Sequence, residues 1–389
     1  MLPAGSSLYW RLSVYYISYF ASVGVVMVFW GPYLQFRGFD AVAIGQLLGI
    51  LAATKIVAPY VWGWLADRSG QRMRMIRYAA CAAAAIFMGV FFITGFGWMA
   101  VLMLLFSFFW NAGLPQFDAA TLNLLGEQHH RYSIIRSTGS MGFIVSVLAV
   151  GLLLDIWGLQ WLPLIVFLLL GIAGLCSFAV PNINYAEDYS KVDRSIWPVL
   201  QRPEVCLILL AGFLMQLSAG PYYTFFSIHL QSYGYQESMI GLLWITGTSA
   251  EVLMFYCMHR ILPAYSMKTL LLLCFLLAGI RWLMIAYAAD MTAVLVLAQL
   301  LHAFTFGMFH AVMIHLIHHM FTGVHQGRGQ GLYSSVSFGI GTASGALLSG
   351  YMWSAYGAEI SFTLAAGVTL IGALLLAFGP PIQLSAARR

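Results

Sequence analysis

The sequence predicts an all-α integral membrane protein with twelve transmembrane helices in two pseudo-symmetric six-helix bundles. Three observations carry this. Of 389 residues, 61% are hydrophobic and 8% charged, with mean hydropathy +0.85, whereas soluble domains carry about 25% charged residues. The apolar residues gather into twelve runs, leaving roughly 32 residues for each span and its loop, against the ~20 that one crossing needs. All 18 Lys and Arg except Arg37, Lys55 and Arg281 fall on one side of the threading this implies, as the positive-inside rule requires. A soluble enzyme, a disordered chain, a nucleic-acid binder and a disulfide-stapled secreted domain are excluded.

The first six runs lie at 10–34, 42–66, 74–95, 98–124, 133–157 and 159–180. Run 1 follows a single positive charge, Arg11, and leads straight into another span, so it reads as helix 1 and not as a cleaved signal. Helix 2 carries Lys55 at its middle; Asp118 lies late in helix 4 and Arg136 one turn into helix 5. The stretch from Pro181 to Pro203 is the least apolar and holds Glu187, Asp188, Lys191, Asp193, Arg194 and Arg202. It divides the chain into a bundle at 1–181, a cytoplasmic linker at 182–203 and a second bundle at 204–389. The remaining runs lie at 204–231, 238–258, 268–289, 291–321, 328–353 and 359–380, with Glu251 in helix 8, Arg281 in helix 9, and His302 and His310 in helix 10. The five cysteines (Cys81, Cys176, Cys206, Cys257, Cys274) contain no CxxC and read as filler of the membrane core. Both termini are expected on the cytoplasmic side of a bacterial-type inner membrane.

The halves repeat. Leu34-Gln35, Gly38 and Ile44-Gly45 recur as Leu230-Gln231, Gly234 and Ile240-Gly241 at a constant offset of 196 residues, in the outer hairpin that opens each half. Parallel six-helix repeats are a transporter design, with the substrate site between halves near the midplane.

Between spans 2 and 3 runs Gly63-Trp64-Leu65-Ala66-Asp67-Arg68-Ser69-Gly70-Gln71-Arg72. It resembles the G-x-L-x-D-R-x-G-[RK]-[RK] loop of the major facilitator superfamily. Glycines permit a tight turn, and Asp67 with the arginines can form ion pairs that open and close in a transport cycle. The plain alternative is a charged cytoplasmic turn that sets topology. Further on, Gly113-Leu-Pro115-x-x-Asp118-Ala119 and Tyr132-x-x-x-Arg136-x-x-Gly139-Ser140-x-Gly142-Phe143 are similar to helices 4–5 of the phenylpropionate permease and lactose permease branch of that superfamily. In the second half Gly241-x-Leu243-Trp244, Ala250-Glu251, Arg281-Trp282 and Gln299-x-x-His302-x-x-Thr305-Phe306 with His310 are similar to the phenylpropionate permease type. The resemblance implies a proton-coupled symporter.

A charge at the bilayer centre costs at least ~2.5–3.5 kcal/mol, so such residues face a cavity and act there. Lys55, Asp118 and Arg136 are the substrate-binding candidates, with Trp244. Lactose permease has an acid and an arginine matching Asp118 and Arg136, which bind its sugar; the alternative is a structural ion pair tying helices 4 and 5. Glu251, Arg281, His302 and His310 are the proton-coupling candidates, the alternative for the first two being a permanent Glu251–Arg281 pair. His302 matches the coupling histidine of lactose permease, but Gln299 and Thr305 stand where that protein has a lysine and its protonatable glutamate, so Glu251 becomes the expected carrier. His302 and His310 are eight residues apart, a remainder of about 80° on a regular helix, so they could share a broad helix face; the alternative for both is hydrogen bonding within the bundle. His315 and His319 have a metal-like spacing without an acidic partner nearby in sequence, and no metal is expected. Three cations, Lys55, Arg136 and Arg281, face two anions, Asp118 and Glu251, which suits an anionic substrate. Trp30, Phe117, Tyr222, Tyr223 and Trp244 could stack on a ring of that substrate.

The expectation is therefore proton-coupled uptake of a small organic solute, an aromatic carboxylate such as 3-phenylpropionate, by alternating access. Sugar or nucleoside symport is the alternative within transport. A membrane-embedded enzyme lacks an HxxxxD or nucleophile–base motif, and a transporter-like sensor would need a signalling domain, for which the nine or so residues after the last span leave no room. No cofactor is expected beyond the proton gradient. The expected partners are the small-molecule substrate, protons and the lipid bilayer, with no nucleic acid, and the chain is expected to be a monomer. Gly63, Asp67, Arg68, Gly70 and Arg72 form the expected gating loop.

Overall fold

The computed structural model describes residues 6–182 and 195–382. Of the predicted linker, Glu187, Asp188, Lys191, Asp193 and Arg194 lie outside the described residues, as do Arg388 and Arg389. The described residues contain helices and turns and no strand.

Helices α1 (Ser6–Phe36), α2 (Ala41–Ser69), α3 (Arg72–Phe87), α4 (Phe96–Leu125), α5 (Tyr132–Trp157) and α6 (Leu162–Ala179) follow the first six runs. After the short turn α7 (Trp197–Leu200) come α8 (Pro203–Ser218), α9 (Gly220–Ser232), α10 (Glu237–Ala264), α11 (Met267–Tyr287), α12 (Thr292–Leu300), α13 (Phe309–Met320), α14 (Gln326–Ser334) and α15 (Thr342–Phe378). Eleven stretches among the described residues are long and apolar enough to cross a membrane. One of them, Gln326–Phe378, has 53 residues, or about 80 Å at 1.5 Å per residue, far more than a ~30 Å hydrocarbon core requires. It breaks at Gly357 (φ 83°), so it supplies two crossings. The sequence reading put a loop there; a single left-handed glycine suffices.

Three of the runs are also less regular than predicted. The run at 204–231 is interrupted at Ala219, between α8 and α9. A π-helical turn, Ala303–Met308, joins α12 to α13, and another, Ser335–Gly341, joins α14 to α15. Such turns are rare, and many lie at functional sites.

Contacts divide the chain into two units, Met1–Asp188 with Gly234–Leu242, and Tyr189–Tyr233 with Leu243–Arg389. In the first, α1 packs on α5 and α6, α2 on α4, and α3 on α4 and α6. A Cβ on Gly142 would overlap the Ile17 carbonyl, so α1 and α5 meet backbone to backbone. The segment Gly234–Leu242 differs from the predicted division at 204. It counts with the first unit because the Asp155 carboxylate accepts from the Ser238 N–H at 3.2 and 3.3 Å. In the second unit α8, α9 and α11 pack on α15. Its core includes Cys274, Phe275, Phe309, Val312, Leu316 and Tyr333. Cys274 alone among the five free thiols fills a core as predicted; Cys81, Cys206 and Cys257 are exposed. A thiol is small enough to be tolerated on either face of an apolar helix.

Candidate functional site

The second unit holds a buried polar chain built from four helices. Arg281 on α11 is 1% exposed, and its guanidinium can only donate. One terminal nitrogen donates to His302 Nδ1 at 3.0 Å and to Thr305 Oγ1 at 2.9 Å, and the other to Gln299 Oε1 at 3.1 Å. Gln299 Oε1 also accepts from the Tyr222 hydroxyl of α9 at 2.9 Å. The guanidinium carbon lies 4.1 Å from the Tyr222 ring centre and 4.9 Å from that of Trp282, so aromatic faces compensate part of its charge.

Because Arg281 donates to Nδ1, that nitrogen must present its lone pair. The His302 proton then sits on Nε2, which faces Glu251 Oε2 of α10 at 3.3 Å. Hydrogen bonding thus assigns a neutral imidazole with its N–H aimed at the carboxylate. The alternative considered from sequence, a direct Glu251–Arg281 pair, is corrected: the imidazole stands between the two charges. Arg281 Nε and Gln299 Nε2 are buried with no protein partner. His310 lies further along, on α13. Its ring stacks on Phe306 at 5.7 Å, and its Nδ1 lies 3.3 Å from the Tyr333 hydroxyl.

In the first unit Asp118 and Arg136 do meet, at 3.4 Å, with side chains 23% and 39% exposed. The Tyr16 hydroxyl, which sequence reasoning missed, donates to Asp118 Oδ1 at 2.6 Å. Phe20 lies 5.4 Å beneath the Arg136 guanidinium. Lys55, in mid-α2, makes no hydrogen bond or ion pair among the described residues. Nearby Asn111 is already engaged with Thr54 at 2.8 Å.

The aromatic candidates divide. Trp30, Phe117, Tyr222 and Trp244 are buried, and the Trp244 indole N–H is used on Ser227 at 3.0 Å. Only Tyr223 keeps a partly open face. The others are packed by rings of their own unit, such as Tyr222 on Trp244 at 4.6 Å.

In the loop after α2, Asp67 and Arg72 form an ion pair, and Arg68 covers Trp64 at 5.3 Å. Gly70, at φ 61°, closes the helix by donating its N–H to the Asp67 carbonyl at 3.3 Å; a side chain would be strained there. Gly63 leaves room for Gln116 of α4. His315 and His319 are neighbours, ring centres 4.3 Å apart, but no group of three metal-binding side chains occurs among the described residues.

The model of the MFS_1 like family matches residues 9–364. The chain belongs to this family. Its relatives are transporters. A probable 3-phenylpropionic acid transporter of Escherichia coli K12 is 26% identical over 370 residues, covering 91% of this chain and 93% of the relative. A maltose permease of Geobacillus stearothermophilus is 25% identical over 369 residues, covering 93% and 92%. Among solved structures, a mutant of the nucleoside transporter NupG superposes with TM-score 0.87 at 17% identity, covering 95% of this chain and 99% of that one. A bacterial homologue of the lysosomal transporter Spinster gives 0.71 at 12%, covering 97% of each chain. The MFS transporter fold is thereby established, and with it a multi-pass membrane protein that is a carrier and not an enzyme.

Proposed function

We propose that this MFS transporter is a proton-coupled symporter that imports a small aromatic carboxylate, with 3-phenylpropionate as the first candidate. The carrying observation is the Glu251–His302–Arg281 chain. It sets one carboxylate next to a neutral imidazole and one step away from a buried guanidinium. Protonation of Glu251 leaves Arg281 without its counter-charge, and an arriving anion restores the balance. Proton and anion then favour each other's binding, which is the thermodynamic content of symport.

The choice of substrate rests on charge. Asp118 and Arg136 cancel, Glu251 offsets Arg281, and Lys55 remains as one uncompensated cation among the intramembrane charges. A poorly hydrated cation of this kind favours an anion. The name of the E. coli relative supports the same class. The name of the Geobacillus relative favours a sugar as the second reading, with the half-buried Asp118–Arg136 pair as the group to hold it.

Binding of labelled 3-phenylpropionate and of maltose to purified protein separates the readings. The carboxylate is expected to bind, and Lys55→Gln to weaken it roughly tenfold to a hundredfold, the worth of about 1.5–3 kcal/mol for a charged hydrogen bond. Maltose binding without carboxylate binding, unchanged in Lys55→Gln, sinks the carboxylate reading.

A further inference from the structure

His302, Phe306, His310 and Tyr333 form a column of nearly parallel rings within the second unit. His302 and Phe306 stack at 5.5 Å and 13°, Phe306 and His310 at 5.7 Å and 16°, and His310 and Tyr333 at 6.0 Å and 27°. A regular α-helix does not produce this. Eight residues at 100° each leave His310 about 80° away from His302. The π-helical turn Ala303–Met308 lies between them. Its wider i→i+5 turns advance each residue by less than 100°, which takes up that offset, and the rings come into line.

The column is flanked by α10 in matching order. Glu251 faces His302 at 3.3 Å, and Phe255, one turn on, meets the His310 ring at 6.4 Å. Phe338 of the second π-helical turn closes the other side, 6.1 Å from Phe306 and 5.6 Å from His310. Two polar stations are thus separated by two ring-to-ring steps of 5.5 and 5.7 Å, with one phenyl ring between them. Phe306 has no donor or acceptor, so no hydrogen-bonded relay crosses it. It is only half-buried, so the ring is not locked in a core.

From this column we infer that His310 with Tyr333 is a second proton station and that Phe306 is the valve between it and the Glu251–His302 pair. This rests on the proton-coupled reading above. With Phe306 in line, the proton stays at the first station. When the ring swings out, water enters, the Glu251 carboxyl loses H⁺ to that water, and a ring nitrogen of His310 accepts H⁺ from it. One positive charge moves from the first station to the second, and the imidazolium then releases it to water at the α13 end. Tyr333 keeps the His310 ring in place. The groups facing His302 include Glu251 of α10, Arg281 of α11 and Tyr222 of α9; the rings packed on His310 include Phe255, Phe306, Phe338 and Tyr333.

The test is passive proton leak in substrate-free proteoliposomes carrying an imposed pH gradient. Phe306→Ala is expected to collapse the gradient several-fold faster than the native protein, Phe306→Leu to stay tight, and Phe306→Ala combined with His310→Phe to be tight again. Gradients that Phe306→Ala holds as well as the native protein does, or a leak that persists with His310→Phe, overturn the valve. His310→Asn supplies an independent check that leaves the valve ring intact: proton-driven uptake should slow while counterflow is kept, and native-like uptake refutes the second station. The coupling reading fails separately, if Glu251→Gln still accumulates substrate, whatever the leak results.

Discussion

Arg281 has five donors and no acceptor, so it fixes the chemistry of every side chain it touches. It determines the tautomer of His302 and, through that ring, where the proton facing Glu251 sits. Lysine cannot reproduce this. A compact ammonium cannot span acceptors on His302, Thr305 and Gln299 at once, and each acceptor left unpaired in a buried site costs about 1–3 kcal/mol. Arg281→Lys is expected to lose substrate accumulation and to lower the thermal midpoint of the purified protein; native-like behaviour in both would refute the role given to the fork. Glu251→Gln keeps the size and removes the titratable charge. Counterflow, which needs no net proton movement, should survive in that variant while uphill accumulation is lost. The members of this chain were legible in the sequence, because charged side chains in apolar runs are too costly to be incidental. Their order was not, since three separate helices bring them together and nothing in the spacing says that an imidazole stands between acid and base. Trp244 shows the opposite failure. An aromatic in a carrier helix reads as a substrate platform, and here its face and its N–H are both consumed by packing.

At the scale of helices, two contacts have measurable consequences. Gly142→Ala places a methyl group on the Ile17 carbonyl, a backbone atom that can yield only if α1 and α5 part. A destabilisation of about 1–3 kcal/mol is expected from overpacking, read as a lowered thermal midpoint; an unchanged midpoint would show that α1 and α5 are not in backbone contact. Asp155 accepts from the Ser238 N–H in the first turn of α10, and its replacement by Ala should cost about 0.5–2 kcal/mol, as for a lost helix cap. Asp155→Asn should recover most of this; if both variants behave alike, the cap is not formed. Sequence reasoning found Gly142 only as a motif position and passed over Asp155, whose partner lies 83 residues away. It also could not find the π-helical turns. Hydrophobic periodicity registers apolar faces, and one widened turn inside an apolar run leaves the count of apolar residues unchanged.

At the scale of the whole molecule, two units of a membrane carrier should expose opposite ends in alternation. Single cysteines at the outer and inner ends of α5 and α10 should change reactivity in opposite directions when substrate is added, and changes in the same direction at both ends would refute alternation. The background must first lose the exposed Cys81, Cys206 and Cys257. The number of spans was legible from apolar runs alone, because each crossing demands its own ~20 residues. The substrate was not, because the residues that hold it are few and relatives of similar identity carry names as different as 3-phenylpropionic acid transporter and maltose permease. Coupling is the claim on which the rest depends, and proton flow tests it most directly. In proteoliposomes without an imposed pH gradient, addition of 3-phenylpropionate outside should raise the external pH as protons enter with it, and Glu251→Gln should abolish that rise while still exchanging substrate. Substrate entry with no movement of protons in the native protein would contradict the account.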